Sequence, residues 1–259
     1  MELLVEKEKI YYGDLLKLIE GEILAIRCPV FCPPDTCAKL TAAVQAHKLF
    51  GFYTDNPGAG RLGVGVYEIL TWEDLVESYL SSSSQVMNAL RLGKNSSPAD
   101  KFMAELALAW PAGIRVPTLK GFIMRPSTAR LMNANGPAVL PHDDFQGQYA
   151  RQLPWAADQK GQLGANIYIS VPETGGQLEL WCQQLSKEQY DLCRFNRSYG
   201  LDRKQLPEPD LTLKPKLGEL ILINTRKLHA IRGVGKGERC TISSFCGFVS
   251  LNDPLLIWS

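Results

Sequence analysis

Few residues in this chain could do chemistry, which makes their placement informative. The 259 residues include three histidines, His47, His142 and His229, so a site needing two imidazoles can be assembled in few ways. His142 lies in Pro141-His142-Asp143-Asp144-Phe145. In an extended segment residues i and i+2 share a face, so His142 and Asp144 can reach one point while Asp143 looks away. Two neutral imidazoles and one carboxylate form the facial set that holds Fe(II) and leaves coordination positions open, as oxygen chemistry requires. A closed set of four ligands would suit structural zinc instead. The second imidazole must come from a distant strand, and His229 follows the apolar run Glu219-Leu220-Ile221-Leu222-Ile223-Asn224. Ten residues after it, Arg239 opens Cys240-Thr241-Ile242-Ser243-Ser244-Phe245. Its planar fork suits a dicarboxylic cosubstrate, and the hydroxyls of Thr241 and Ser243 alternate with it on one strand face.

Such residues need a scaffold that joins distant segments. From about Leu119 onward the sequence reads as short β runs bounded by Gly, Pro or Asn: Gly121 to Met124, Ala129 to Met132, Gly164 to Val171, Gln177 to Cys182, Glu219 to Ile223 and Cys240 to Val249. That spacing predicts a sandwich or barrel, not a parallel βαβ sheet. Residues 1 to about 113 are predicted to be mainly helical. Helical turns are expected over Asp14 to Ile19, Asp35 to His47, Thr71 to Leu90 and Phe102 to Trp110, the last opened by a Ser97 N-cap with Pro98 at the first helical position. One strand, Glu22 to Arg27, interrupts them. Between Cys182 and Leu217 the pattern lapses into a polar insert, 183–217, with Pro207, Pro209 and Pro215.

The composition narrows the function classes. With 45% hydrophobic residues and 28 Lys+Arg against 27 Asp+Glu, the chain is no disordered tail, and its balance gives no reason to expect nucleic acid or an anionic membrane as partner. No apolar run approaches the roughly 18 residues of a membrane span. Acids stand where a signal peptide carries its basic region, so a cytoplasmic location is expected. The seven cysteines are expected as reduced thiols. Cys28, Cys32, Cys37 and His47 could be read as zinc ligands, but Cys37 and His47 would lie nearly three turns apart on one helix, so buried thiols are expected there too. Gly58-Ala59-Gly60-Arg61-Leu62-Gly63 matches a dinucleotide fingerprint but leads into Val64-Gly65-Val66-Tyr67 and not a helix. A flexible loop, able to cover the site, is the expectation.

The pattern His-x-Asp, a distant His and an Arg about ten residues beyond it resembles the Fe(II)/2-oxoglutarate-dependent oxygenases. A further likeness, to the carrier-independent aliphatic halogenases of hapalindole and welwitindolinone pathways, is carried by Ser170-Val171-Pro172-Glu173-Thr174-Gly175-Gly176-Gln177-Leu178, by Gly218-Glu219 leading to His229, by Trp258-Ser259 and by the Glu22-to-Leu40 strand and helix. Those halogenases have Gly where this chain has Asp144, and a carboxylate there fills the position that halide would take. The resemblance therefore implies a hydroxylase using Fe(II), 2-oxoglutarate and O2. It implies His142, Asp144 and His229 as catalytic metal ligands and Arg239, Thr241 and Ser243 as the 2-oxoglutarate site. The implied fold is mainly β with flanking helices, a double-stranded β-helix or cupin-like jelly roll over 114–259 with an N-terminal α-helical buttress over 1–113, in one domain, 1–259. The substrate would be a freestanding small molecule, such as an amino acid or an alkaloid or other natural-product precursor, with no nucleic acid or membrane partner and the oligomeric state open. Phe145, Arg130, Asn166 and Tyr168 are weaker candidates for substrate or cosubstrate contact. From Arg194 to Arg239 there are 11 Lys+Arg against 5 Asp+Glu, either a solvated basic face or an attraction for such anions. The alternatives are a halogenase that tolerates the carboxylate and a catalytically silent cupin-like binding protein.

Overall fold

Period-two alternation of apolar residues dominates the second half of the chain, and the computed structural model converts it into two facing sheets. The structure describes residues 2–53, 57–92, 97–144, 152–194 and 200–259. Its strands are β1 (Leu4–Glu6), β2 (Ala25–Cys28), β3 (Phe50–Phe52), β4 (Ala59–Leu62), β5 (Ile114–Arg115), β6 (Thr118–Leu119), β7 (Phe122–Ile123), β8 (Thr128–Met132), β9 (Val139–His142), β10 (Gly161–Ser170), β11 (Leu178–Leu180), β12 (Leu211–Leu213), β13 (Leu220–Asn224), β14 (His229–Ile231), β15 (Arg239–Phe248) and β16 (Leu255–Trp258). The larger sheet runs β1-β2-β13-β10-β15-β8-β4-β3, with β16 beside β15 and β5, and the smaller runs β12-β11-β14-β9. This is the jelly roll.

Each face of the larger sheet has its own task. Leu163, Ala165, Ile167 and Ile169 of β10 share one face with Leu220 and Leu222 of β13 and Cys240 and Ile242 of β15. Helices α1 (Tyr12–Glu20), α2 (Pro34–Ala46), α4 (Val76–Ala89) and α5 (Pro98–Ala109) bury Leu15, Leu18, Leu40, Val44, Val86, Phe102 and Leu106 in the same core, while α3 (Val66–Thr71) packs Val66 and Ile69 into a second one. The helical buttress is thus present, and α5 starts as the sequence predicts: the Asp100 N–H donates to Ser97 Oγ and the Ser97 N–H to the Asp100 carboxylate, each at 3.0 Å. The opposite face carries Asn166, Tyr168, Thr241 and Ser243, and looks toward the smaller sheet. There Tyr168, Leu178, Leu180, Ile221 and Ile223 pack as one cluster.

Several expectations need correcting. The N-terminal part does more than buttress: β1 and β2 extend the larger sheet beyond β13, and β3 and β4 extend it beyond β8. The glycine run around Gly60 is no covering loop, because Ala59–Leu62 is β4, hydrogen-bonded between β3 and β8. Gly60 lets the Phe50 ring lie over the strand, since a Cβ would lie 2.5 Å from Cζ of Phe50. The predicted strand Glu22 to Arg27 forms as Ala25–Cys28, and the helix expected from Thr71 to Leu90 splits into a 3-10 turn, Glu73–Leu75, and α4. The polar insert contains α6 (Lys187–Arg194), a 3-10 turn at Arg203–Gln205 and β12. All seven cysteines are free. Among the described residues, one group of three or more His, Cys, Asp or Glu side chains converges as a metal site would, and it does not include Cys28, Cys32, Cys37 or His47. No helix among the described residues is long and apolar enough to cross a membrane.

Candidate metal centre and its anion stripe

The two sheets meet the requirement set by the sequence. His142 ends β9 and His229 begins β14, and antiparallel pairing puts them side by side in register. Both are buried, 6% exposed, with ring centroids 4.2 Å apart. Each ring is tethered to its own strand: Nδ1–H of His142 donates to the Leu140 carbonyl at 2.7 Å and that of His229 to the Lys227 carbonyl at 3.0 Å. Holding the Nδ1 proton this way makes Nε2 the nitrogen that exchanges its proton for a metal. Both Nε2 atoms point at Asp144, His142 at Oδ1 and His229 at Oδ2, each at 3.3 Å.

Asp144 is fixed by its backbone. Its N–H donates to the Thr225 carbonyl at 2.9 Å, and its carbonyl accepts from Gln162 Nε2 at 2.6 Å. The second residue after β9 is thereby tied both to β10 and to the turn before His229. Burial opposes a charge on Asp144, but the two imidazoles outweigh it and hold the carboxyl well below the usual carboxylate range. Burial likewise opposes a charge on His142, and the Asp144 carboxylate overrides it and raises the imidazole. The three donor atoms lie within 4.8 Å of one another, while the Asp144 side chain keeps 26% of its surface exposed. Two imidazole nitrogens and one carboxylate oxygen, gathered on one side of a point and open on the other, fit a divalent metal such as Fe(II).

The larger sheet supplies the second part. Arg239, the first residue of β15, is 3% exposed. Its Nη2 donates to Tyr168 Oη at 3.2 Å, its guanidinium sits 4.9 Å from the Tyr168 ring centroid, and its Nε meets no acceptor among the described residues. Thr241 pairs with Tyr168 across the β10–β15 ladder, and Ser243 with Asn166. The Thr241 and Ser243 hydroxyls are 3.0 Å apart, and Ser243 donates to Asn166 Oδ1 at 2.8 Å. Arg130 stands opposite Thr241 on β8, with its guanidinium 5.4 Å from the Phe245 ring centroid. Arg239, Thr241, Ser243, Asn166, Tyr168 and Arg130 therefore form one polar stripe on the inner face.

Not every candidate joins it. Phe145 lies outside the described residues. Nor does Trp181 line the stripe: it is core on the other side of the smaller sheet, packed with Leu201, Leu228 and Ala230 and donating to the Pro207 carbonyl at 2.9 Å. Arg232, the arginine that precedes Arg239 in the chain, is paired with Glu179 at 2.7 Å. Gln162 and Thr225, which hold Asp144, escaped the sequence reading. Gln162 was findable, since it shares the period-two phase of Asn166 and Tyr168.

No family model matches the chain. It is 25% identical over 175 residues to L-gamma-glutamyl-L-propargylglycine hydroxylase of Streptantibioticus cattleyicolor, a match covering 65% of this chain and 61% of that protein. The chain thus spans about three-fifths of the length of the curated relative it matches. Among solved structures it is similar to an N-substituted L-amino acid dioxygenase from Burkholderia ambifaria AMMD, with TM-score 0.63, 18% identity and coverage of 96% of this chain and 91% of that one. The same enzyme in complex with alpha-KG gives TM-score 0.60 at 17% identity, with coverage again 96% and 91%. The halogenase likeness rests on the sequence stretches alone. At these identities the structural likeness shows a shared fold, the jelly roll of that dioxygenase.

Proposed function

We propose that this protein is a non-haem Fe(II)- and 2-oxoglutarate-dependent dioxygenase that hydroxylates an aliphatic C–H bond of a freestanding amino-acid-derived small molecule. The observation that carries the reading is the convergence of His142, Asp144 and His229, opposed by a sheet face bearing the buried, partly unsatisfied Arg239. Bound there, Fe(II) with 2-oxoglutarate supplies oxygen activation coupled to decarboxylation of 2-oxoglutarate to succinate. The chain's own part is binding and orientation. His142 and His229 would turn Nε2 to the metal because their Nδ1 protons are held by strand carbonyls, any proton on Nε2 leaving as the metal binds. Asp144 contributes the anionic oxygen and leaves the opposite side open. Arg239 receives the distal carboxylate of 2-oxoglutarate, with Thr241 and Ser243 offering hydroxyls beside it. Tyr168 and Asn166 orient that stripe, and Phe145 is assigned to the substrate side from the sequence alone. The relatives named above, a hydroxylase and a dioxygenase of amino-acid-derived molecules by their names, support the substrate class.

Succinate formation by purified protein supplied with Fe(II), 2-oxoglutarate and O2 tests the proposal. Succinate should appear only when all three are present and should disappear in Asp144→Ala. Wild-type protein that binds metal and 2-oxoglutarate but never forms succinate would instead be a cupin-like binding protein.

A further inference from the structure

Arg125 is 1% exposed, yet none of its side-chain nitrogens meets an acceptor among the described residues. Its guanidinium stacks 4.4 Å from the Tyr79 ring centroid, and Gly63 makes room for it, since a Cβ there would lie 2.9 Å from Arg125 Nη1. Stacking leaves the in-plane N–H groups of a guanidinium unused. Glu68 is engaged elsewhere: it accepts from Arg61 and from the Gly65 N–H. Arg61 stands opposite Arg130 in the β4–β8 ladder, and Arg130 Nε is also buried with no acceptor among the described residues. Among the described residues Glu68 is paired with Arg61, and no ion pair reaches Arg125 or Arg130.

The donor surplus continues along the wall. The indole N–H groups of Trp155 and Trp258 are buried and meet no acceptor among the described residues. Their rings lie 4.6 Å apart, and the Trp258 ring lies 5.7 Å from Phe245, over which Arg130 sits. This wall adjoins the metal side: Gln162, which holds the Asp144 carbonyl, accepts from Gln159 at 3.0 Å, and Gln159 and the Trp258 ring both crowd the space that Gly247 leaves free. It adjoins the anion stripe too, through Arg130 and Thr241. A buried donor left unmade costs free energy, so a wall of donors without acceptors is complementary to a ligand that brings the acceptors, and guanidinium pairs select carboxylates.

We infer that this wall is the substrate subsite, and that the substrate carries a carboxylate, distinct from that of 2-oxoglutarate, which Arg125 and Arg130 receive over the Phe245, Trp155 and Trp258 rings. The inference rests on the dioxygenase reading and adds a substrate feature to it: a free carboxylate, as in an N-substituted amino acid or small peptide, bound as the anion.

The test uses full-length protein loaded with Ni(II) and excess 2-oxoglutarate, so that Arg239 is already engaged. Thermal shift and tryptophan fluorescence compare N-acetyl-L-amino acids having apolar side chains with the corresponding N-acetyl amino acid amides. Acids should raise the melting temperature and change the fluorescence, and their amides should not. Arg130→Gln should weaken acid binding at least tenfold. Arg125→Met should abolish it and yet raise the melting temperature of the ligand-free protein, because the substitution removes a buried charge that has no partner. The inference falls if no acid outperforms its amide, if Arg130→Gln binds acids as well as wild type does, or if Arg125→Met lowers the melting temperature and keeps acid binding. Succinate formation, measured on the same preparation with Fe(II), separates the two readings. Acid-selective binding without succinate refutes the dioxygenase and keeps the subsite, whereas succinate without acid preference does the reverse.

Discussion

His142 and His229 are cross-strand neighbours whose rings stand 4.2 Å apart, and each offers Nε2 to a different oxygen of the Asp144 carboxylate at 3.3 Å. Strand pairing sets this spacing and the Nδ1 tethers set the ring orientation, so the donor cluster is organised by backbone. Removing one imidazole should therefore abolish metal binding without unfolding the protein. A metal that binds only the folded state stabilises it, by about 2.7 kcal/mol at a hundredfold excess over Kd. Fe(II) or Mn(II) should accordingly raise the wild-type melting temperature and leave that of His229→Ala unmoved. Full metal occupancy in His229→Ala, read by elemental analysis, would defeat the assignment.

Arg239 has one acceptor, Tyr168 Oη, and a buried Nε with none among the described residues. Arg239→Lys keeps the charge and loses the planar fork. A hydrogen bond to a charged group is worth about 1.5 to 3 kcal/mol, so 2-oxoglutarate affinity should weaken roughly ten- to a hundredfold. Titration of 2-oxoglutarate into the metal-loaded variant measures this, and an unchanged affinity would move the carboxylate site to another cation.

What the sequence made legible follows from range. The i, i+2 phase of His142 and Asp144 and the phase of Arg239, Thr241 and Ser243 are properties of single strands, and all five residues stand where that phase puts them. That His142 and His229 are ladder neighbours depends on pairing across 87 residues, which no local pattern encodes. The same limit hid β12 and β14, each three residues long, and β4, whose glycines read as a loop until Phe50 and β8 gave the strand its partners. Arg125 was invisible for a different reason: nothing in the sequence distinguishes a surface arginine from one at 1% exposure. The α5 cap was legible because all of its parts lie within four consecutive residues.

That cap has a pH signature. The Arg91 guanidinium, donating at 2.8 and 2.9 Å, pulls the Asp100 carboxyl down to about 2 against its partial burial, and the Ser97 N–H adds to the effect. A carboxyl lowered on folding contributes stability that is complete above its unfolded value, about 3.9, and is lost as pH falls through the folded one. The Arg91 side chain is 41% exposed, so solvent screening reduces the pair, and a total near 1 kcal/mol including the cap is expected. Asp100→Asn should melt earlier than wild type at pH 6, and the difference should narrow steadily as the buffer is taken to pH 3. A gap that stays constant across that range would mean that the carboxylate charge contributes nothing.

On the proposed reading, Asp144 decides the reaction outcome. Its carboxylate oxygens face both imidazoles, so it fills the position that would have to be vacated for halide beside the two histidines. Wild-type protein turning over with chloride in excess should give hydroxylated product and no chlorinated one. Asp144→Gly would open the position but also removes the anion that draws the two rings to one point, and nothing in the stripe of Arg239, Thr241 and Ser243 is committed to holding a halide in its place. The variant should therefore lose most of its turnover and its metal affinity, with at most a trace of chlorinated product. Mass spectrometry of the products reads both arms, and a chlorine isotope pattern in the wild-type product would replace the hydroxylase with a halogenase that tolerates its carboxylate.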